Sequence, residues 1–387
     1  MKAIGFIPLR KGSKGIPGKN KRKMVGRSLF TWVLGEAFQS NLDEVYVYTD
    51  DQAIIDFINK EYHYTAKIKA LLRSDKSATD TASTESAMLE FAEKINYNFD
   101  AFCLLQATSP FTKAVDINAC LQQLENGKDS ALTVVNTHRF LWKENGTAIN
   151  YDPFNRPRRQ DFDGLLIENG AVYTCKKEVL QNKSNRLGDN IGIVKMLEES
   201  LHEIDSEADW IVVEQLLIQR QKQAKQSNRI THLVLDVDGV FTDGSITYTK
   251  DGEHTKRFDM RDGMGLEILR QFDVEVIIMT SENSELVAKR MQKLQIEQVY
   301  LGVKDKFTLL NKLVKDNNIK LSNVAYVGDD VNDLANICSV GWSLAPNNAM
   351  TEIKTHADIV LSKNSGNGAI REACQFIKNY NKRFYKS

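Results

Sequence analysis

Two α/β domains in series are predicted for this 387-residue chain by three features. Short apolar strands alternate with helical periodicity from the first residues onward. The pattern stops in a polar stretch at 221–229 and restarts at Leu233. The expected division is therefore a domain over 1–220, a linker over 221–229 and a second domain over 230–387, within a length prior of about 150 residues per domain. The 51 basic residues balance 51 acidic ones, which argues against a dedicated nucleic-acid binder. Cys103, Cys120, Cys175, Cys338 and Cys374 lie far apart without a Cys-x-x-Cys, so neither a disulfide framework nor a zinc knuckle is indicated. The chain starts a strand within four residues, with no signal-peptide hydrophobic region, and no run approaches a membrane span; a cytoplasmic protein with no membrane partner is expected.

In order, residues 4–8 read as a strand, Leu29 to Gln39 as a helix, Glu44 to Thr49 as a second strand and Gln52 to Glu61 as a helix, the start of a parallel sheet. Between the first strand and helix, Arg10 to Lys23 carries seven Arg/Lys and no acid. Gly12, Gly15 and Gly18 permit positive φ and close backbone approach there, so N–H groups and ammonium groups can converge on phosphates. The spacing is neither a Walker A loop nor Gly-x-Gly-x-x-Gly. Asp50 and Asp51 stand at a strand's carboxyl end, where they suit either a ligand or a helix N-terminus. Arg73 opens a polar loop to Glu85. Ser83 or Thr84 caps the following helix. Ala101 to Leu105 is a buried strand ending in Gln106, Thr108 and Ser109, which suit a ribose or base, or simply a turn closed by Pro110. After a strand at Ser130–Asn136, Arg158 and Arg159 can grip a carboxylate or phosphate. Glu203 and Asp205 can project two carboxylates towards Mg²⁺, while Glu207 and Asp209 suit the next helix's N-terminus.

In the second domain, Asp236 and Asp238 leave the end of a strand together. Such a pair can divide labour around one Mg²⁺: one ligates the ion and attacks phosphorus, the other protonates the leaving oxygen. An EF-hand fails, since Val240 holds a position that needs an oxygen ligand. Thr280 ends another strand in a hydroxyl, Lys306 can neutralise a transferring phosphoryl group, and Asp329 ends a third strand where it can complete the metal site. Residues 246–258 read as a hairpin turned at Asp251-Gly252. They leave no room for a lid, so a neighbouring subunit is the expected cover. Arg371 can reach an anionic substrate or tie down the tail.

Up to about residue 220 the chain resembles the CMP-sialic acid synthetases. The matching letters are Ile7-Pro-Leu-Arg10-Lys-Gly12-Ser13-Lys14-Gly15-Ile16-Pro17-Gly-Lys19-Asn20, Leu105-Gln106-Ala-Thr108-Ser109-Pro110, Arg159-Gln160-Asp161 and Asn169-Gly170-Ala171. The resemblance implies a Rossmann-like nucleotidyltransferase domain, with Arg10, Ser13 and Lys19 on the phosphates of CTP and with Gly12, Lys14, Asn20 and Arg73 completing the nucleotide contacts. It implies Gln106 and Ser109 on the cytidine or sugar side, Arg159, Gln160, Asp161 and Asn169 near the sugar acid, and Asp205 on Mg²⁺. Leu9, Ala107 and Glu203 depart from the family pattern. Kdo cytidylyltransferases share the fold but have a shorter opening motif. From about 230, Asp236-Val-Asp238-Gly-Val-Phe-Thr-Asp243-Gly244, Arg261-Asp262-Gly263, Thr280, Lys306, Gly328-Asp329-Asp330 and Gly368-Ala-Ile-Arg371 resemble capless haloacid dehalogenase-type phosphatases acting on Kdo 8-phosphate or sialic-type 9-phosphates. That resemblance implies a Rossmannoid domain, Mg²⁺ on Asp236, Asp238 and Asp329, and a homo-tetramer assembled through this domain. Together the two halves imply an enzyme handling CTP, a nonulosonic acid and its phosphate.

Overall fold

A computed structural model describes every residue except Lys14, Asp80, Asp251 and 385–387. The predicted turn residue Asp251 and nucleotide contact Lys14 thus lie outside the described residues. The chain forms two compact units, one of Met1–Arg22 and Ser28–Val213, the other of Lys23–Arg27 and Glu214–Ser387.

The first unit opens with β1 (Ala3–Leu9), followed after the short strands β2 (Lys23–Met24) and β3 (Arg27–Ser28) by α1 (Leu29–Gln39), β4 (Glu44–Thr49) and α2 (Gln52–Glu61). It continues through β5 (Ile68–Leu72), α3 (Thr84–Lys94), β6 (Ala101–Leu105), α4 (Ala114–Glu125), β7 (Ser130–Thr137), β8 (Leu165–Lys176), α5 (Lys177–Lys183) and β9 (Ile191–Lys195). The sheet order is β5-β4-β1-β6-β8-β7-β9. β1 pairs in parallel with both β4 and β6, whereas β8 runs antiparallel to its neighbours. β1 is apolar along almost its whole length because it is buried on both faces. Alternation divides it: Ile4 and Phe6 join Phe91 and Phe102 on one side, while Ala3, Ile7 and Leu9 join Val33 and Val47 on the other. Three caps follow local chemistry. Asp51 accepts from Ala53 N at the start of α2, Ser83 from Ser86 N at α3, and Asp209 from Ser206 N before α6 (Glu207–Gln223).

The second unit holds β10 (His232–Leu235), β11 (Thr242–Thr249), β12 (Gly252–Phe258), α7 (Met260–Arg270), β13 (Glu275–Met279), α8 (Glu285–Lys293), β14 (Gln298–Tyr300) and α9 (Lys306–Asp316). β15 (Val324–Val327), α10 (Leu334–Ile337), β16 (Trp342–Ala345), α11 (Thr351–His356), β17 (Ile359–Val360) and α12 (Ala369–Asn381) complete it. Six strands in the order β14-β13-β10-β15-β16-β17 form a parallel sheet. β11 and β12 form a separate antiparallel hairpin.

Two features depart from the predicted division. The boundary between units falls inside α6, and the polar stretch after it is packed rather than a free linker. Lys225 Nζ lies 2.6 Å from Asp358, Ser227 Oγ donates to the Gly341 carbonyl at 2.8 Å, and Asn228 N to that of Ser322 at 2.9 Å. A hydrogen-bonded surface of this kind leaves no mark on apolar periodicity. The second unit also takes in residues 23–27. Val25 and Gly26, both at positive φ (50° and 76°), turn the chain between β2 and β3. Val25 N donates to Glu214 Oε1 at 2.7 Å. Arg27 forks onto Asp305 through Nε–Oδ1 and Nη2–Oδ2 contacts of 2.9 Å each and donates from Nη2 to Thr308 Oγ1 at 2.6 Å. A side chain at Gly26 would place Cβ 1.7 Å from the Val331 carbonyl oxygen, so no larger residue fits.

Candidate active sites

In the first unit the order of strands reverses between β1 and β6, since β4 and β5 extend the sheet on one side and β6 on the other. Loops at that point leave a crevice at the strands' carboxyl ends. Arg10 follows β1, Gln106 follows β6 and Arg73 follows β5. A cleft of about 270 Å³ is lined there by Arg10, Gly12, Ser13, Lys19, Asn20, Arg73, Gln106 and Thr108, together with Ser83 and Thr84 at the start of α3. The loop holds its shape through its own backbone: Lys19 N donates to Ile16 O at 3.1 Å, Lys21 N to Gly18 O at 2.9 Å, and Asn20 Nδ2 to Arg10 O at 3.0 Å. Asp50 anchors it by accepting from Lys11 N at 2.7 Å, and Asp51 pairs with Lys21 at 2.6 Å besides capping α2.

The three glycines act differently from one another. Only Gly18 takes a positive φ, 65°. Gly15 is required by proximity instead, since a Cβ there would meet the Asp205 carbonyl oxygen at 2.1 Å. Gly12 has open space around it. The cleft is cationic: burial depresses the Arg73 guanidinium from its ordinary range, and Arg10's charge adds to the effect against the opposing pull of Asp50. An anion bound between them relieves that repulsion. Lys19 Nζ donates to the Ile204 carbonyl at 2.5 Å and lies 3.5 Å from Asp205 Oδ1. The Asp205 carboxylate is 76 % exposed, and Glu203 is exposed beside it.

The other expected residues of this unit fall into two groups. Arg159 and Gln160 line a second cavity of about 540 Å³ with Asn136, His138, Met196 and Glu198. Ser109, Asp161 and Asn169 are held by the protein itself. Ser109 is buried in a turn, its N–H donating to Gln106 O at 3.1 Å. Asp161 pairs with Arg158 at 2.6 Å. Asn169, 3 % exposed, accepts from Thr133 Oγ1 at 2.7 Å and donates to Ser200 Oγ at 2.9 Å.

In the second unit Leu235 of β10 aligns with Ile278 of β13 and Val327 of β15, so the next residues of all three strands emerge at one edge. Those residues include Asp236, Thr280 and Asp329. Lys306, the first residue of α9, has its buried ammonium 2.8 Å from Asp236 Oδ2 and 2.7 Å from Asp333 Oδ1. Tyr326 Oη donates to the same Asp333 oxygen at 2.6 Å, and Asp329 N to Asp333 Oδ2 at 3.2 Å. Gly239, at φ 79°, lets the loop close over Asp329, for a Cβ there would lie 2.0 Å from Asp329 Oδ2. Thr280 is buried at the end of β13, its N–H donating to Tyr300 O at 3.0 Å. Arg371 presents its backbone N–H to buried Asp262 at 2.8 Å, beside the start of α12.

Ligand oxygens of Asp236, Asp329 and Asp333 lie within 4.8 Å of one another. Burial, together with repulsion from Asp333, pushes Asp236 up to about 7 against the pull of Lys306. Burial, with the charges of Asp333 and Asp236, pushes Asp329 up to about 8. Lys306 stays charged despite burial, because Asp236 and Asp333 raise it. Once ionised, as ligation of a cation requires, the three carboxylates outweigh the Lys306 ammonium by two charges, and hard oxygen donors with that charge fit a divalent cation. Asp238, expected among the ligands, stands outside this group. Its two oxygens lie 2.7 and 2.8 Å from Lys256 Nζ. Asp333 takes the third place; it sits four residues after Asp329 in Gly328-Asp-Asp-Val-Asn-Asp333, a spacing that puts both carboxylates near one strand end.

A cationic cleft at the reversal point of one α/β sheet, and buried carboxylates around a lysine at the strand ends of another, define a nucleotide-handling transferase joined to a phosphoryl-handling hydrolase. The cytidylyltransferase family model matches residues 4–234 and the haloacid dehalogenase-like hydrolase model residues 161–372. The chain belongs to the cytidylyltransferase family and also carries a haloacid dehalogenase-like hydrolase domain. N-acylneuraminate cytidylyltransferase A of Danio rerio is 30 % identical over 383 residues, covering 96 % of this chain and 87 % of that protein. The Oncorhynchus mykiss N-acylneuraminate cytidylyltransferase is 32 % identical over 387 residues, with 96 % and 87 % covered. The 3-deoxy-D-manno-octulosonate 8-phosphate phosphatase of Haemophilus influenzae is 36 % identical over 155 residues, 40 % of this chain and 86 % of that one. Among the described residues no helix is long and apolar enough to cross a membrane.

Proposed function

We propose that the first unit transfers CMP from CTP to a sialic-type nonulosonic acid, and that the second hydrolyses a nonulosonic acid 9-phosphate with Mg²⁺ as its ion. The observation that carries the first half is the cleft of about 270 Å³ that Arg10, Lys19 and Arg73 line together with Gln106 and Thr108. Arg10, Ser13 and Lys19 bind the phosphates; Gln106 and Thr108 offer hydrogen bonds to the nucleoside. The second cavity of this unit, with Arg159 to pair with a carboxylate, suits the sugar acid. Its anomeric hydroxyl attacks the α-phosphorus and pyrophosphate leaves, while the cationic loop stabilises the charge that develops. Asp205, exposed beside Lys19, is the candidate to hold a metal there.

In the second unit Asp236 attacks phosphorus to form a phospho-aspartate, and Asp238 protonates the leaving oxygen and then takes a proton from the hydrolytic water. Lys306 and Thr280 bind the phosphoryl oxygens. Asp236, Asp329 and Asp333 would hold Mg²⁺, which supplies further charge neutralisation at the phosphoryl group when bound. The intact Asp236–Lys306–Asp333 cluster favours this over a domain that serves only in assembly. Exposed Tyr248, Met260 and Met264 on and beside the β11–β12 hairpin suit a contact between copies, in keeping with a tetramer.

The test is a panel of nonulosonic acids, Kdo included, with each of the four nucleoside triphosphates, read by mass spectrometry of the product. CMP conjugates of sialic-type acids are expected; preference for another triphosphate or for Kdo overturns the assignment. Asp236→Asn should abolish phosphate release from the 9-phosphate and leave CMP transfer intact.

A further inference from the structure

We propose that Lys256 is a positioning residue for Asp238, holding the proton-carrying carboxylate of the phosphatase site from the β11–β12 hairpin. The inference rests on the phospho-aspartate reading above. β12 is largely solvent-facing, yet the Lys256 side chain is only 1 % exposed. Its ammonium lies 2.7 and 2.8 Å from the two oxygens of Asp238 and 3.1 Å from Glu253 Oε1. Glu253 in turn accepts from Ser284 Oγ, and Ser284 caps α8, four residues beyond Thr280. A bridge thus runs from the loop after β10, through the hairpin, to the loop after β13.

A lysine suits the position because an ammonium has three donors and no acceptor: it can bridge both oxygens of one carboxylate and reach a second. Asp238 also receives a contact from Thr242 Oγ1 at 3.4 Å on Oδ1. An ionised carboxylate offers about four lone-pair sites, so these contacts fix its plane and leave a site on Oδ2 to carry a proton. Without the lysine, Asp238 would sit on a loop with its χ angles free, and the geometric requirement of proton transfer would be met less often.

The consequence is specific to proton transfer. In the first step an Asp236 oxygen bonds to phosphorus, the bond from phosphorus to the sugar oxygen breaks, and that oxygen takes the proton of Asp238. In the second, a water oxygen bonds to phosphorus and passes its proton to Asp238, and the bond from phosphorus to Asp236 breaks, releasing inorganic phosphate. An alkoxide leaving group needs the first proton. A nitrophenolate does not, but both substrates share the second step.

The full-length chain with Lys256→Met should therefore lose about 10²-fold or more in turnover of a sugar acid 9-phosphate, within the range general acid–base catalysis supplies. With p-nitrophenyl phosphate it should retain a rapid burst of nitrophenolate, close to one per site, followed by slowed turnover. Lys256→Arg should recover part of the sugar-phosphate rate. Equal slowing of the burst and of sugar-phosphate turnover, or no slowing of either, overturns the proposal. Should Lys256→Met fail to fold, as judged by circular dichroism, Lys256→Arg and Glu253→Gln are compared in the same two assays and judged by the same split. Asp236→Asn separates the two ideas. If that variant still turns over, the phospho-aspartate reading fails; if it is inert while Lys256→Met slows every phase alike, only the role of Lys256 fails.

Discussion

Replacing Arg27 by Met should weaken the second unit far more than a change in a basic surface loop would. The Arg27 and Asp305 side chains are 4 % and 2 % exposed. The guanidinium makes two contacts to the carboxylate and one to Thr308, and it covers the Phe307 ring with Cζ 4.7 Å from the centroid. Removing one partner of a buried pair leaves the other charge uncompensated, at a cost of about 3–5 kcal/mol. At 1.4 kcal/mol per tenfold, that raises the opening equilibrium by roughly two to three and a half orders of magnitude. Amide hydrogen exchange of peptides spanning β10 and β15 reads this opening directly, without requiring the whole chain to unfold in one step. A second variant isolates the cause. Asp305 caps α9 by accepting from Thr308 N at 3.3 Å. Asn can keep that cap without the charge. Arg27→Met with Asp305→Asn should therefore regain much of the lost protection. A drop smaller than tenfold for Arg27→Met, or a double variant no better than the single one, would refute the reasoning.

Gly239→Ala should cut phosphatase turnover by more than about 10²-fold and spare CMP transfer, because its Cβ would overlap Asp329 Oδ2 in a backbone conformation already at positive φ; parallel assays of the two activities check it. Gly15→Ala should do the reverse, raising the KM for CTP at least tenfold by displacing the Asp205 backbone from the loop, as steady-state kinetics will show. The ion-free phosphatase site should lose stability as pH rises from about 4 to 8. Its folded carboxyls, at about 7 for Asp236 and about 8 for Asp329, bind more protons than the unfolded chain across that window. Melting in EDTA and in Mg²⁺ at pH 5 and pH 8 tests this, with Mg²⁺ expected to stabilise more at pH 8. Glu90 behaves in the opposite sense. Burial would raise it, but hydrogen bonds from Ser74, Tyr48 and Ser77 hold it at about 2, so its contribution is present above about 4.5 and lost as pH falls towards 2. The melting-temperature gap between the native chain and Glu90→Gln should close over that interval.

Much of this architecture was legible because it is local. The apolar run of β1 and the caps at Asp51 and Ser83 are decided by neighbours in sequence. Asp236, Thr280 and Asp329 could be placed together because each ends a strand of one parallel sheet. Asp333 was within reach of the same logic, four residues beyond Asp329. The three glycines looked equivalent, yet only a folded chain shows Gly15 against Asp205 and Gly12 against nothing. Lys256 was hidden because one inward-facing side chain on a solvated hairpin has no periodic signature. Arg27 was hidden for a different reason: its partner is 278 residues away, so within its own surroundings it reads as one more cation in a basic turn.

That separation also bears on biosynthesis. Ribosomes add roughly 5–20 residues per second, so Asp305 leaves the peptidyl-transferase centre on the order of 15–60 s after Arg27. During that interval the nascent β2–β3 turn carries a cation whose counter-charge does not yet exist. The second unit cannot close its buried ion pair until most of the chain has been translated, and a message truncated before codon 305 would yield a polypeptide with that turn still waiting.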